Sequence, residues 1–120
     1  MARATRRVMI EGSDRELAST IEEASGLWGS FMGLMFRRGM PTGHGMIFRP
    51  ARGIHTSFMF FDLDLIYLDK HDIVTKIRPK MVPWRIDVTS AAGCLELNAG
   101  VAARAGLEQG DRLLFSPSAP

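Results

Sequence analysis

The sequence predicts a mainly β protein, a sandwich or a barrel, with one short α-helix and one additional helical turn. Three observations favour this fold class: short apolar runs rich in β-branched residues, Gly- and Pro-containing turns between them, and a long apolar stretch at residues 53–69. A chain of 120 residues can bury one hydrophobic core without disulfides or metals. We therefore expect a single β-rich domain over residues 1–115, followed by a disordered tail at residues 116–120.

The first predicted elements are a strand, a turn and a second strand. Val8 and Ile10 alternate with Arg7 and Met9, and Gly12 begins a turn. The apolar residues that follow fit the spacing of a long helix, in which three glycines would each cost about 1 kcal/mol relative to Ala, and residues 17–23 fit the return strand of a hairpin equally well. We favour a strand to about residue 23 and then a helix from about 24 to 36.

The centre of the chain carries the most informative pattern. A glycine-rich loop at 39–45 precedes a short strand at 46–48. Residues 63–68 are apolar on both faces of a strand, which is typical of a strand covered on both sides. Asp64 then points into apolar surroundings, where a carboxylate must be paired, hydrogen-bonded or protonated.

In the last part of the chain, the sequence predicts a hairpin, a break in the sheet and three short elements. A polar turn at 69–72 leads into an alternating strand, and the segment 79–83, with a proline at each end, is expected to break the sheet. Residues 93–98 form a strand with Leu95 and Leu97 directed inward. The remaining elements are an Ala-rich helical turn at 99–105, its C-cap Gly106 and a last strand at 112–115.

Composition excludes several classes of protein. The net charge of +2 comes from scattered basic residues rather than a stripe, so nucleic acid binding is not expected. The N-terminus lacks the apolar segment of a signal peptide, and no apolar run is long enough to span a membrane. The single cysteine, Cys94, allows no disulfide within the chain and is expected to be a buried apolar residue. We expect a cytoplasmic protein.

Several short motifs occur in an order that resembles a known family. They are the sequences at 33–37, 45–48, 54–59, 63–69, 83–85, 95–100 and 106–111. Together they resemble domain-of-unknown-function family 192, also called uncharacterised protein family 0127. The resemblance implies a small jelly-roll β-sandwich with a strand near residues 16–23, and it implies no activity. The chain departs from the family pattern at Phe61-Asp62, which replaces an apolar-proline step, and at His71-Asp72, which replaces an Asp-Gly turn.

One pair of residues is a candidate for catalysis. A carboxylate beside a histidine fixes its tautomer and raises its pKa, which is what a general base needs, so His55 and Asp64 could form an acid/base pair. The alternative is that His55 is a core histidine and that Asp64 tethers a loop or a bulge. We therefore keep a small enzyme that uses this pair as the second hypothesis of function, and whether the chain is an enzyme stays open.

The first hypothesis is a non-enzymatic domain that binds a small molecule or a protein. Its groove would lie between the 37–45 loop and the His55 segment, where Met and Arg residues accumulate. The predicted ligand-binding residues are Arg37, His44, His55, Met59 and Arg85. The histidines lack the spacing of metal ligands and no phosphate-binding motif is present, so no metal and no cofactor are predicted. The oligomeric state is left open.

Overall fold

The computed structural model describes residues 5–24, 40–55, 61–82 and 86–118. Within this part of the chain lie nine strands and one short helix: β1 Thr5–Ile10, β2 Glu16–Ala24, β3 His44–Phe48, β4 Ala51–His55, β5 Leu63–Leu68, β6 Val74–Met81, β7 Ile86–Ala91, β8 Gly93–Asn98, α1 Val101–Ala105 and β9 Leu113–Pro117. The prediction of a mainly β fold is confirmed. The prediction of a strand, rather than a helix, up to about residue 23 is confirmed as well. The predicted helix from 24 to 36 lies outside the described residues, apart from residue 24 at the end of β2.

Seven strands form one curled sheet in the order β6-β5-β8-β3-β2-β1-β9. The pairs in this sheet are antiparallel except β2 with β3, which run parallel. The two edges meet at one end, because Val74 N–H donates to the carbonyl of Asp111 and Leu113 N–H donates to the carbonyl of Asp72. The sheet is therefore a half-barrel joined at one end, and the sandwich or jelly-roll arrangement is not confirmed.

A second sheet consists of β4 and β7 alone within the described residues. Ala51 and Ala91 are paired across it, and both pack against apolar side chains of the large sheet. Small residues at these positions allow the two sheets to approach closely. The two-stranded sheet thus covers one side of the half-barrel.

The large sheet has an aliphatic side and a methionine side. Successive residues of β5 face opposite sides of the sheet. Ile66 and Leu68 pack on the aliphatic side, and Leu65 and Tyr67 pack on the methionine side. Every residue of β5 is buried, which confirms the predicted strand covered on both sides. The aliphatic side contains Val8, Ile10, Leu17, Ile21, Ile47, Ile66, Leu68, Val74, Leu95, Leu97 and Leu113. The methionine side contains Met40, Met46, Phe48, Ala51, Leu63, Leu65, Tyr67, Met81 and Cys94.

Several local predictions are confirmed. The β5–β6 hairpin turns at 69–72, where the Asp69 side chain accepts hydrogen bonds from the N–H groups of His71 and Ile73. Leu95 and Leu97 are fully buried on the aliphatic side. Helix α1 ends at Gly106, which takes a left-handed conformation with φ 68°.

Three predicted boundaries need correction. β6 continues through Pro79 to Met81. This is possible because β6 lies at the edge of the sheet, where the missing N–H of a proline can face away from the neighbouring strand. The glycine-rich loop ends before His44, and Gly45 lies inside β3, where a Cβ atom would come within 2.8 Å of the Glu96 carbonyl. β9 runs from Leu113 to Pro117, where it pairs with β1, so this strand ends two residues later than predicted.

Strand β7 was not predicted from the sequence. Apolar and polar residues alternate at 86–89, but opposite to the burial, since Val88 is exposed and Asp87 is buried. No helix among the described residues has the length and apolarity needed to cross a membrane.

Candidate functional site

Asp64 is fully buried on the aliphatic side, and three backbone N–H groups surround its carboxylate. Oδ1 accepts from Lys80 at 3.0 Å, and Oδ2 accepts from Gly100 at 3.1 Å and Ala102 at 3.0 Å. The first bond reaches β6, and the other two reach the start of α1. Asp64 therefore links a strand to a helix that is distant in sequence.

The bond to Lys80 holds a β-bulge. Leu63 pairs with Met81 and Leu65 with Arg78, so two residues of β6 lie opposite the single residue Asp64. Lys80 has φ 51°, a left-handed conformation that lysine rarely adopts. The carboxylate thus stabilises a backbone conformation that the side chain of residue 80 disfavours.

The two bonds to α1 cap a helix whose own N-cap residue cannot do so. Gly100 occupies the N-cap position and supplies no side-chain hydrogen bond. The Asp64 carboxylate takes the place of a capping side chain and lies at the end of the helix that favours negative charge. Asp64 therefore performs the tethering role that the sequence analysis weighed against catalysis.

The predicted partner of Asp64, His55, ends β4, where it pairs with Ile86 of β7. Its side chain lies outside the described part of the chain, so the acid/base pair stays a prediction. Arg37, Met59 and Arg85 also lie outside the described residues. His44 is half-buried at the start of β3, and its backbone N–H donates to the carbonyl of Pro41.

On the methionine side, four titratable side chains form a group that the sequence analysis did not predict. We call Tyr67, Asp87, Cys94 and Glu96 the acid cluster. Tyr67 of β5 pairs directly with Cys94 of β8, and Glu96, two residues further along β8, pairs with Leu65. Tyr67 and Glu96 are therefore diagonal neighbours on one side of the sheet, within reach of each other's long side chains. Asp87 joins them from β7.

Asp87 is the charged member of the acid cluster. It is 2% exposed, and its carboxylate accepts hydrogen bonds from Arg78 at 2.9 Å and from the backbone N–H of Thr89 at 2.8 Å. Burial alone would raise the pKa of Asp87, but the hydrogen bonds from Thr89 and Arg78 and the nearby Lys76 outweigh it and hold the pKa below its ordinary value. Asp87 thus ties the small sheet to β6.

The Tyr67 hydroxyl is buried and has no hydrogen-bond partner at normal distance among the described residues. Burial raises the pKa of Tyr67, and the neighbouring Cys94, Asp87 and Glu96 raise it further, Asp87 both by its charge and by the approach of its carboxylate to the hydroxyl. The hydroxyl is therefore a neutral, buried O–H group that lies beside the Asp87 carboxylate without making a hydrogen bond of normal geometry to it. A buried polar group left without a partner costs about 1–3 kcal/mol, so its position calls for an explanation.

Glu96 and Cys94 complete the acid cluster. Burial raises the pKa of Glu96 to about 8, so its carboxyl group is mostly protonated at neutral pH. Burial also raises the pKa of the Cys94 thiol, together with the charges of Glu96 and Asp87. A thiol of this kind is a poor nucleophile, in line with the prediction of a buried apolar cysteine.

Alternation along β8 is the signal that could have revealed the cluster. The sequence 93–98 places Leu95 and Leu97 on one side and Cys94 and Glu96 on the other. A glutamate on that other side normally faces solvent, whereas Glu96 is buried and the small sheet, with the unpredicted β7, packs against this side. Among the described residues, no three His, Cys, Asp or Glu side chains are grouped so that they could hold a metal ion.

Comparisons with known proteins agree with this architecture. A model of the family DUF192, described as an uncharacterised ACR, matches residues 8–115. A similar solved structure is a candidate transcription regulator from Sinorhizobium meliloti 1021, with 30% identity, a TM-score of 0.82 and 96% of each chain covered. Another is a protein of unknown function from Novosphingobium aromaticivorans DSM 12444, with 26% identity and a TM-score of 0.77, covering 90% of this chain and 83% of that one. No curated protein matches the chain.

Proposed function

Because this chain belongs to the DUF192 family, whose description gives no activity, we propose a function from its own geometry: the domain binds a small, largely apolar molecule on the methionine side of the large sheet. The binding site would lie between that sheet and the strands β4 and β7. The acid cluster would provide the polar contacts, and the methionines and Phe48 would provide the apolar ones. This is a binding role without a chemical step.

The observation that carries the proposal is the buried Tyr67 hydroxyl, which lies beside the Asp87 carboxylate but makes no hydrogen bond of normal geometry with any described residue. On the aliphatic side of the same sheet, the buried polar group supports the fold and is fully hydrogen-bonded: the Asp64 carboxylate accepts three hydrogen bonds. Since a missing partner lowers stability, a group that keeps its hydroxyl unpaired is best explained by a partner that comes from outside the chain.

The composition of the methionine side also supports the proposal. Met40, Met46 and Met81 are buried together with Phe48, and methionine side chains are unbranched and repack easily around different shapes. The aliphatic side, in contrast, contains no methionine among its buried described residues. A site that must open for a small molecule is therefore expected on the methionine side.

The test is a fragment screen against the whole chain with the methionine methyl groups labelled with ¹³C. We expect fragments that bind to shift the NMR signals of Met40, Met46 and Met81, because these methyl groups lie in the proposed site. The signal of Met9 on β1 is expected to stay in place, since Met9 does not belong to the methionine side.

A matched pair of variants locates the site. Ala91 packs against the methionine side, whereas its neighbour Ser90 is exposed. We expect Ala91→Leu to weaken binding of the fragments about tenfold or more by filling the site, and Ser90→Leu to leave it unchanged. Fragments that shift no methionine signal on this side, or that bind both variants equally well, would contradict the proposal.

A further inference from the structure

We propose that the molecule bound on the methionine side carries a carbonyl oxygen, and that the Tyr67 hydroxyl and the Glu96 carboxyl donate the two hydrogen bonds that hold it. This inference rests on the proposed function and specifies its ligand class: an apolar molecule with one ketone or ester group. Three properties of the site lead to it, namely the placement of the two donors, their protonation and the charges around them.

The two O–H groups are placed to act on one atom. Tyr67 and Glu96 extend from adjacent strands, β5 and β8, on the same side of the sheet and in diagonal register. Long side chains in this arrangement can reach a common point above the sheet. Tyr67 is the donor without a partner among the described residues.

Both groups are donors at neutral pH. Glu96 keeps its proton because burial raises its pKa to about 8, and the Tyr67 hydroxyl remains neutral because burial raises its pKa as well. Two neutral O–H donors that are buried from water make strong hydrogen bonds to an oxygen with partial negative charge. A protonated carboxylic acid beside a tyrosine is an arrangement that suits a carbonyl oxygen.

The surrounding charges disfavour the other ligand classes. Asp87 is the ionised member of the cluster, and its carboxylate already has Arg78 at 2.9 Å and Lys76 at 3.7 Å. Two cations next to one anion leave a positive excess among the described residues, which repels an ammonium or guanidinium ligand. A fully charged carboxylate or phosphate would lose its hydration among methionine and leucine side chains, at a cost that two hydrogen bonds do not recover.

The pH dependence follows from Glu96 and the groups around it. Tyr67 faces it from β5 and Cys94 lies two residues away on its own strand, while β3 contributes Met46, which is apolar. Asp87 of β7 lies near Tyr67 and Cys94 and is paired with Arg78 and Lys76 of β6. Once Glu96 ionises, it can only accept hydrogen bonds and repels the carbonyl oxygen. Binding is therefore expected to weaken above about pH 8 in the wild-type chain.

The experiment compares acetylnaphthalene with ethylnaphthalene, two probes of nearly equal size of which only the first has a carbonyl group. We expect the whole chain to prefer acetylnaphthalene about tenfold at pH 7, from two hydrogen bonds of ordinary net strength. The carbonyl stretching band of the bound ketone should shift to lower wavenumber, as it does when hydrogen bonds form.

Two conservative variants test the two donors. Tyr67→Phe should reduce the preference to about threefold and reverse part of the infrared shift, because one donor is lost. Glu96→Gln keeps an N–H donor at every pH, so its preference should persist at pH 9, where that of the wild-type chain declines. Methionine methyl spectra confirm that each variant is folded before binding is measured.

The outcomes separate this inference from the proposed function. Equal binding of both naphthalenes on the methionine side, or a preference that Tyr67→Phe leaves unchanged, would overturn the carbonyl assignment and leave the binding function in place. Absence of any binding at this side, by these probes and by the fragments, would overturn both.

Discussion

Each side of the large sheet buries one acid that belongs to the sheet's own strands, and the surroundings of the two acids differ. Asp64 on the aliphatic side accepts three backbone hydrogen bonds that connect β5, β6 and α1. Glu96 on the methionine side lies on the adjacent strand β8, where burial raises its pKa to about 8. The first arrangement stabilises the fold, and the second lowers stability as the pH rises from about 4 to 8, because the unfolded state then releases a proton that the folded state holds. A protein retains a destabilising buried acid more readily at a functional site than in a core.

The largest expected effect concerns the pH dependence of folding. The folded pKa of Glu96 is near 8 and the unfolded value is about 4.3, so the folded state holds a proton that the unfolded state releases between these values. Its contribution to stability is fully present below about pH 4 and is lost as the pH rises through 8, at most about 5 kcal/mol in total. Urea unfolding at a series of pH values measures this loss.

Glu96→Gln should abolish this pH-dependent loss of stability, so that the free energy of unfolding stays nearly constant from pH 5 to pH 9. The matched control is Glu108→Gln, whose side chain is exposed and which should keep the wild-type profile. Asp87 acts in the opposite direction: its lowered pKa adds stability that is lost as the pH falls below about 4. If the free energy of unfolding depended on pH in the same way in wild type and Glu96→Gln, Glu96 would not be protonated in the folded state at neutral pH.

The next effect concerns the acid on the aliphatic side. Asp64→Ala leaves three buried N–H groups without an acceptor, so we expect the free energy of unfolding to fall by at least about 3 kcal/mol. Chemical denaturation provides the measurement, and Asp62→Ala, two residues earlier and exposed, is the control. A decrease below about 1 kcal/mol would mean that the carboxylate does not support the bulge and the helix.

The smallest expected effect concerns the Tyr67 hydroxyl. Since it has no hydrogen-bond partner among the described residues, Tyr67→Phe should leave the free energy of unfolding unchanged or increase it by up to about 1 kcal/mol. Thermal unfolding in the absence of ligand measures the change. A loss of more than about 1 kcal/mol would show that the hydroxyl already has a partner within the chain.

The sequence predicted the elements better than it predicted the site. The alternation at 63–68 identified a strand covered on both sides and a buried carboxylate at residue 64, and both are confirmed. The family resemblance drawn from the motifs is confirmed as well. Local patterns are sufficient for these features because hydrophobic periodicity and turn chemistry are encoded within a few residues.

The site was missed because it depends on which element covers which side. Glu96 alternates with leucines in the way that an exposed residue of a half-buried strand does. Among the described residues, the small sheet formed by β4 and β7 packs against this side, and the alternation in β7 is opposite to its burial, with Asp87 buried and Val88 exposed. The tethering role of Asp64 was one of the two sequence hypotheses, but its partners could not be named, since residues 80, 100 and 102 are brought together only by the fold.

The protonation state of Glu96 is the most direct test of the difference between the two sides. Labelling glutamate side chains with ¹³C and following the carboxyl signals by NMR from pH 3 to pH 10 gives its pKa, with Glu96→Gln identifying the signal. We expect one carboxyl signal, absent from the spectra of Glu96→Gln, to titrate near pH 8. A Glu96 signal that titrates near pH 4 would contradict the account, because the methionine side would then hold an ionised acid and no second O–H donor.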